Sequence, residues 1–318
     1  MKRRRSALAR GRLVALPFVA LQLCLAAATA PAAERSAKEQ VLFDRLERRV
    51  AAVEARLDGV LGVYVEDLSS GARVELRADE VFPTASSIKL AVLYELYRQA
   101  QEGRLDLGEV TRPPGARVRG GGILQELGDR VSLTWRDLAL LMIGWSDNEA
   151  TNVLVRRVGM DAVNRRLDAL GLPGTRLRRQ MMDLEAARRG DENVSTPREI
   201  ARLAGVLARG EGLAPERARD LLSVATLADS GSSFRRGLPD GVRAVSKPGE
   251  LEGVRCEAAW VDVPGRPYVA AVMTTYVRRE KDAEDAIAEL SAAFYDTFDR
   301  LARSSAYGRT VSDRVTGK

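Results

Sequence analysis

Phe82-Pro83-Thr84-Ala85-Ser86-Ser87-Ile88-Lys89 runs without a break into the apolar stretch Leu90 to Ala100. A serine and a lysine three residues apart fall on neighbouring turns of one helix face. With a helix starting here, Ser86 sits in its first turn, where free backbone N–H groups and the positive end of the dipole favour developing negative charge. A serine hydroxyl is a poor nucleophile until a base takes its proton. The chain has no histidine, which removes every Ser-His-Asp arrangement. Lysine is the remaining base. Six lysines (2, 38, 89, 247, 281 and 318) stand against 44 arginines. Arginine does not deprotonate in proteins, whereas a buried lysine shifts its pKa readily. Lys89 and Lys247 are the only lysines away from the two end segments, which points to chemistry that arginine cannot perform. Bringing an amine from ~10.4 to near 7 costs roughly 4–5 kcal/mol, an amount that burial beside a second cation supplies. Alone, Ser-x-x-Lys reads as a capping serine and a solvated lysine; the rest of the chain reverses that.

The length of 318 residues allows one large domain or two small ones. Residues 1–33 read as a secretory signal peptide: Met1 to Arg12 is basic, Leu13 to Ala30 apolar, and Ala28 to Ala33 offers small-residue cleavage sites. A retained transmembrane anchor is the alternative. Cys24 follows Leu23, which is too large for lipoprotein cleavage, and Arg4-Arg5 is a weak twin-arginine signal. Residues 1–33 carry six basic residues and no acidic one, so the remainder of the chain balances 44 basic against 44 acidic residues. Nucleic-acid binding thereby loses its electrostatic basis. Cys256 is the one cysteine left, which excludes an internal disulfide and, without histidine, argues against a zinc or other transition-metal site. The expectation is a secreted or periplasmic monomer with no cofactor and no stable membrane insertion once the signal is cleaved.

In chain order, residues 36–57 space Val41, Leu42, Leu46, Val50, Val53 and Leu57 as one face of an amphipathic helix. Two strand-like runs come next, Val60 to Leu68 and Arg73 to Leu76, joined by Ser69-Ser70-Gly71. A helix-rich middle runs from Thr84 to about Leu222, punctuated by glycine and proline clusters. Strands return at Val242 to Ser246, Ala258 to Val263 and Tyr268 to Tyr276, with a tight turn at Val261 to Pro267. A helix from Asp282 to Arg303 closes the fold, and residues 304–318 read as a loose tail. Strands at both ends and helices between predict an α+β fold: an antiparallel sheet of N- and C-terminal segments flanked by helices, plus an all-helical lobe. The expected divisions are a catalytic domain over 34–303, with 34–83 and 240–303 forming the α/β part and 84–239 the helical part. The cleft belongs where lobe meets sheet.

Two further stretches fit that cleft. Ser146-Asp147-Asn148 lies between the apolar run Leu138 to Trp145 and the helix-like run Ala150 to Val158; by itself it is a connecting turn with an N-cap. Lys247-Pro248-Gly249-Glu250 lies between two strand-like runs and by itself is a hairpin with a surface lysine. Together with Ser86-x-x-Lys89, and in this order, they resemble the S-x-x-K, S-D-N and K-T-G motifs of the class A β-lactamases and penicillin-recognising serine hydrolases. The resemblance extends from about Leu57 to Tyr276 and takes in Gly122-Ile123-Leu124 and Arg236-Gly237-Leu238-Pro239.

The resemblance implies roles. Ser86 attacks a strained amide carbonyl, Lys89 takes or relays its proton, and the backbone N–H groups of Ser86 and Glu250 form an oxyanion hole. Ser146 passes a proton to the leaving nitrogen and Asn148 holds the substrate's side-chain amide. Lys247 supplies positive potential and helps keep Lys89 neutral, Gly249 lets the strand approach, and Arg255 steadies the substrate carboxylate. The substrate class is a β-lactam or a peptidoglycan-stem-like molecule. Two departures matter. Pro248 replaces the hydroxyl residue of K-T-G, leaving carboxylate binding to Lys247, Ser146 and Arg255. The glutamate that activates the deacylating water in class A enzymes is missing: alignment places Met181 or Gln180 there, and Asp183 and Glu185 are the nearest carboxylates. A carboxylate that reaches the acyl group makes a β-lactamase that turns over. Without one, the protein acylates and releases slowly, as a penicillin-binding DD-peptidase, esterase or sensor. A catalytically inactive binding module is the third reading.

Overall fold

In the computed structural model, residues 36–310 are described, except 114–117, 119, 129, 228–230 and 306. The expected signal segment 1–33 and the tail residues 311–318 lie outside the described residues. Five strands form an antiparallel sheet: β1 (Val60–Asp67), β2 (Arg73–Leu76), β7 (Ala244–Leu251), β8 (Val254–Val261) and β9 (Tyr268–Thr275). Their order across the sheet is β2-β1-β9-β8-β7. β1 pairs with β9 along its whole length, from Val60 opposite Thr275 to Asp67 opposite Tyr268. The first strand of the chain and the last are thus joined at the sheet's centre, and the α+β expectation holds. Small pairs β3 (Phe82–Pro83) with β6 (Val194–Ser195) and β4 (Val110–Thr111) with β5 (Leu133–Thr134) sit apart from it.

The strands β1, β8 and β9 are buried on both faces, so each face needs a covering layer. One face carries α1 (Ala37–Glu54), which starts at a Ser36–Glu39 capping box, and α10 (Glu280–Ala302). Phe43, Phe298 and Tyr268 fill the space between, with Tyr268 stacked 4.6 Å from Phe298. The other face carries the helical lobe: α2 (Lys89–Gln101), α3 (Trp135–Gly144), α4 (Asn148–Val158), α5 (Met160–Ala169), α6 (Leu184–Arg188), α7 (Pro197–Arg209) and α8 (Pro215–Ala225), whereas the short α9 (Ser233–Arg236) packs on α10 at the first face, Phe234 against Phe294. α2 is buried nearly all round, which marks it as a central helix.

Two boundaries depart from the sequence reading. Lys247-Pro248-Gly249-Glu250 is no turn; it lies inside β7, paired with β8 residue by residue. Proline is tolerated because β7 is an edge strand, where a missing N–H on the open side loses no ladder bond. The turn comes later, at Gly253, whose φ is +68°. Residues 304–310, expected to belong to a loose tail, turn back instead, through a bridge between Ser304 and Thr310 and a 2.8 Å bond from Lys38 Nζ to the Tyr307 carbonyl.

Gly62 on β1 is a close-approach position: an added Cβ would lie 2.7 Å from Phe82 Cε2 and 2.9 Å from Pro197 Cγ. Gly62→Ala should therefore cost about 1–3 kcal/mol, read as a lower urea midpoint with unchanged slope. An unchanged midpoint would mean that this junction yields freely.

Candidate active site

The chain enters the site through a tight turn, Ala85–Ile88, that runs straight into α2. Ala85 takes a φ of +46°, an uncommon conformation for a residue with a Cβ. The Lys89 N–H bonds back to the Ser86 carbonyl, so the two residues stand one turn apart. Ser86 is half-buried and lines a cavity with Gly120, Gly121, Ser146, Asn148, Pro248 and Glu250. Lys89 is fully buried, at 0% exposure. Its Nζ contacts the Ser146 carbonyl at 2.7 Å, Ser146 Oγ at 3.1 Å and Asn148 Oδ1 at 2.9 Å.

Ser146 reaches that position through a left-handed backbone, φ +51°. Asp147 next to it caps α4: one carboxylate oxygen accepts from Ala150 N at 2.8 Å and the other from Leu124 N at 2.7 Å. Asn148 spends both ends of its amide, the oxygen on Lys89 and the nitrogen on the Gly120 carbonyl at 2.7 Å. The Gly120-Gly121-Gly122 run is thus one wall of the cleft, pinned by Asn148. In the sequence that run reads as punctuation, with Gly122 also opening the matched stretch Gly122-Ile123-Leu124.

Lys247 approaches from β7 and is 1% exposed. Its Nζ lies 3.1 Å from Ser146 Oγ and 3.0 Å from the Pro248 carbonyl. One hydroxyl therefore sits between two amines. A hydroxyl has one proton to donate, so a consistent arrangement has Lys247 donating to Ser146 and Ser146 donating to a neutral Lys89. Neutral Lys89 still has N–H groups for the Ser146 carbonyl and Asn148. The electrostatics agree: burial, then the charge on Lys247, hold Lys89 well below the usual amine range, with Asp147 opposing. Burial pushes Lys247 down to about 8, against Glu257, Cys256 and Glu250.

Gly249 brings β7 against the serine turn. A Cβ there would stand 2.4 Å from the Thr84 carbonyl and 3.0 Å from Ser86 N, so only glycine permits the approach. Proline's nitrogen is accommodated where it faces the open edge, and strand alternation turns the Glu250 N–H the same way. Cys256 is buried, with Sγ 2.8 Å from the Thr84 carbonyl and 3.3 Å from Ser87 Oγ. Burial raises its thiol to about 12, which makes it an inert packing residue.

Ser86, Lys89, Ser146, Asn148, Lys247, Gly249 and Glu250 are brought together. Three other residues are not. Arg255 faces α10, bonded to Glu280 at 2.5 Å, Glu284 at 3.2 Å and the carbonyls of Leu251 and Val254. Its neighbour Cys256 takes the cavity face, so strand alternation places Arg255 on the other. Asp183 is exposed and caps α6, accepting from Ala186 N at 2.9 Å, and Glu185 is exposed in the first turn of that helix. Neither carboxylate lines the cavity. Met181 does, held by Asn152 through bonds of 2.8 and 3.0 Å to its backbone. Met182, Leu184, Arg179 and Asn193 also line it. A search of this loop for a carboxylate passes over all four.

A family model described as the β-lactamase enzyme family matches residues 45–298. The chain is 36% identical over 255 residues to a β-lactamase of Streptomyces albus G, covering 76% of this chain and 80% of that protein. Among solved structures it is similar to a β-lactamase of Sphaerobacter thermophilus (TM-score 0.73, 30% identity, covering 80% of this chain and 97% of that one). It is also similar to a PBP-A mutant solved as an acyl-enzyme complex with penicillin-G (TM-score 0.74, 29% identity, covering 81% and 97%).

The coupling of the two amines fixes a pH dependence. Lys247 keeps its charge below about 8 and loses it above, and with it goes the charged donor that polarises Ser146 Oγ and adds positive potential to the cleft, while Lys89 stays neutral throughout. Reaction at Ser86 should therefore decline as pH rises through about 8. In Lys247→Arg, whose guanidinium does not titrate there, the decline should move to higher pH. An identical alkaline limb in both proteins would exclude Lys247 as its origin.

Proposed function

The chain belongs to the class A β-lactamase family, a family of serine hydrolases, and we propose that Ser86 opens the β-lactam amide through an acyl-enzyme whose release is the slow step. The observation that carries this reading is the buried Lys89 amine, sharing Ser146 Oγ with Lys247. Ser86 Oγ bonds to the carbonyl carbon as its proton passes to Lys89. The N–H groups of Ser86 and Glu250 receive the oxyanion. As the C–N bond breaks, Ser146 gives its proton to the leaving nitrogen and regains one from Lys89. The proton that left Ser86 is thereby accounted for on the departing nitrogen.

Release needs a water and a base to activate it. The loop wall offers Met181, a thioether with no proton affinity, while Asp183 and Glu185 are turned to solvent. This supports a protein that acylates readily and deacylates slowly. The same absence favours a second reading, a penicillin-binding DD-peptidase or esterase acting on peptidoglycan-stem-like substrates. Secretion, with 1–33 as its signal, completes the proposal; among the described residues no helix is long and apolar enough to cross a membrane.

Mixing with a chromogenic cephalosporin, followed by colour and intact mass, tests this. The expected result is a burst with a persistent adduct, and Ser86→Ala should lose both. Hydrolysis surviving in Ser86→Ala would overturn the nucleophile assignment, and steady fast turnover of the unmodified chain would overturn slow release. Met181→Glu places a carboxylate on the cavity wall and should speed release by about tenfold or more, toward the low end of what a positioned general base supplies. Release no faster than before would show that this wall is not where the water is activated.

A further inference from the structure

Behind Lys247, on the opposite face of the sheet, lies a buried acid. Glu257 on β8 is 1% exposed. Its register partner is Pro248, the neighbour of Lys247, whose own partner is Ala258. Paired residues share a face and successive ones alternate, so Lys247 points to the helical lobe and Glu257 to α9. There the Ser232 and Ser246 hydroxyls donate to its Oε1, and the Phe234 N–H donates to its Oε2 at 3.0 Å. Ser232 also caps α9, accepting from Arg235 N at 2.9 Å. Among the described residues no cation bonds to this carboxyl. The charges nearest along the same face are engaged elsewhere: Arg255 with Glu280 and Glu284 of α10, Arg236 with Asp285, and Arg235 with the Val242 carbonyl. A buried carboxylate without a cation is costly. The charge left to answer it is Lys247, on the other side of β7.

Resting on the acyl-enzyme reading above, we infer that Glu257 is a positioning residue of the reaction: through Ser246 and Ser232 it ties β7 to α9, and its negative charge keeps Lys247 in the ammonium form that donates to Ser146. Each group acts on the other in the required sense. Burial pushes the Glu257 carboxyl up, while Ser232, Ser246, the Phe234 N–H and lastly Lys247 draw it down. Glu257 in turn stands first among the charges that hold Lys247 up against burial, ahead of Cys256 and Glu250. Lys247 thus keeps its proton to about 8, and a neutral group in place of Glu257 lets that proton go at lower pH.

The readout is the alkaline limb of acylation, measured with benzylpenicillin as the second-order rate of adduct formation across neutral and alkaline pH. In Glu257→Gln, which keeps the shape and loses the charge, the limb should fall by about one pH unit, as for unit charges several ångströms apart inside a protein. In Glu257→Asp, which keeps the charge, it should stay within about half a unit of the native one. With Lys247→Arg in place, whose charge does not titrate there, adding Glu257→Gln should move nothing, and a shift overturns the inference. So does a folded Glu257→Gln with the native limb, or an equal shift in Glu257→Gln and Glu257→Asp, the mark of a merely structural role. Where Glu257→Gln does not fold, a carboxyl-carbon NMR titration of the native protein decides. Glu257, assigned through Glu257→Asp, should ionise before Lys247 loses its proton, and a carboxyl still protonated at about 8 overturns the inference. No adduct from the native protein at any pH overturns the acyl-enzyme reading itself, so the two failures are distinguishable.

Discussion

Lys89 and Lys247 hold their amines on either side of the Ser146 hydroxyl, both 1% exposed or less. Two like charges so placed, and so far from water, are not both stable. Relief comes when one gives up its proton, and the local bonds decide which. Asp147 is the charge that opposes proton loss from Lys89, while Glu257, Cys256 and Glu250 all hold Lys247 up. Burial outweighs Asp147, because that carboxylate is already engaged by two backbone N–H groups as the α4 cap. Lys89 becomes the base, and Ser86 one turn away becomes a nucleophile without any histidine.

The fold exists to hold that arrangement. α2 is buried nearly all round, so Lys89 at its start has no route to solvent. β7 is an edge strand, pressed against the Ser86 turn by Gly249 and leaving one side open for a substrate. Ser146 is presented by a left-handed residue between α3 and α4. Backbone strain at Ala85 and Ser146, both at positive φ, falls on the residues that aim the two hydroxyls into the cleft. Arg255 belongs to another part of this scaffold, tying β8 to α10 by its two ion pairs.

Much of this is legible in the sequence because the residue types are chemically exclusive. A chain without histidine and nearly without internal lysine marks Lys89 and Lys247 by elimination, and strands at both ends dictate a sheet closed by β1 against β9. What the sequence does not carry is direction. Arg255 matches a motif position, yet strand alternation aims it at α10, which a spacing of eight residues does not reveal. Pro248 makes Lys247 to Glu250 look like a turn, because proline's cost depends on whether a strand is at the edge. Asp183 is a candidate by proximity along the chain, but a helix cap claims its carboxylate.

The most direct measurement is an NMR titration of the lysine amines, in a chain whose six lysines keep the spectrum simple. Lys89 Nζ should lose its proton well below the ordinary amine range, with Lys247 following near 8. In Lys247→Ala the Lys89 titration should move upward. A Lys89 that stays protonated to about 10.4, the value of a free lysine, would contradict the account at its root.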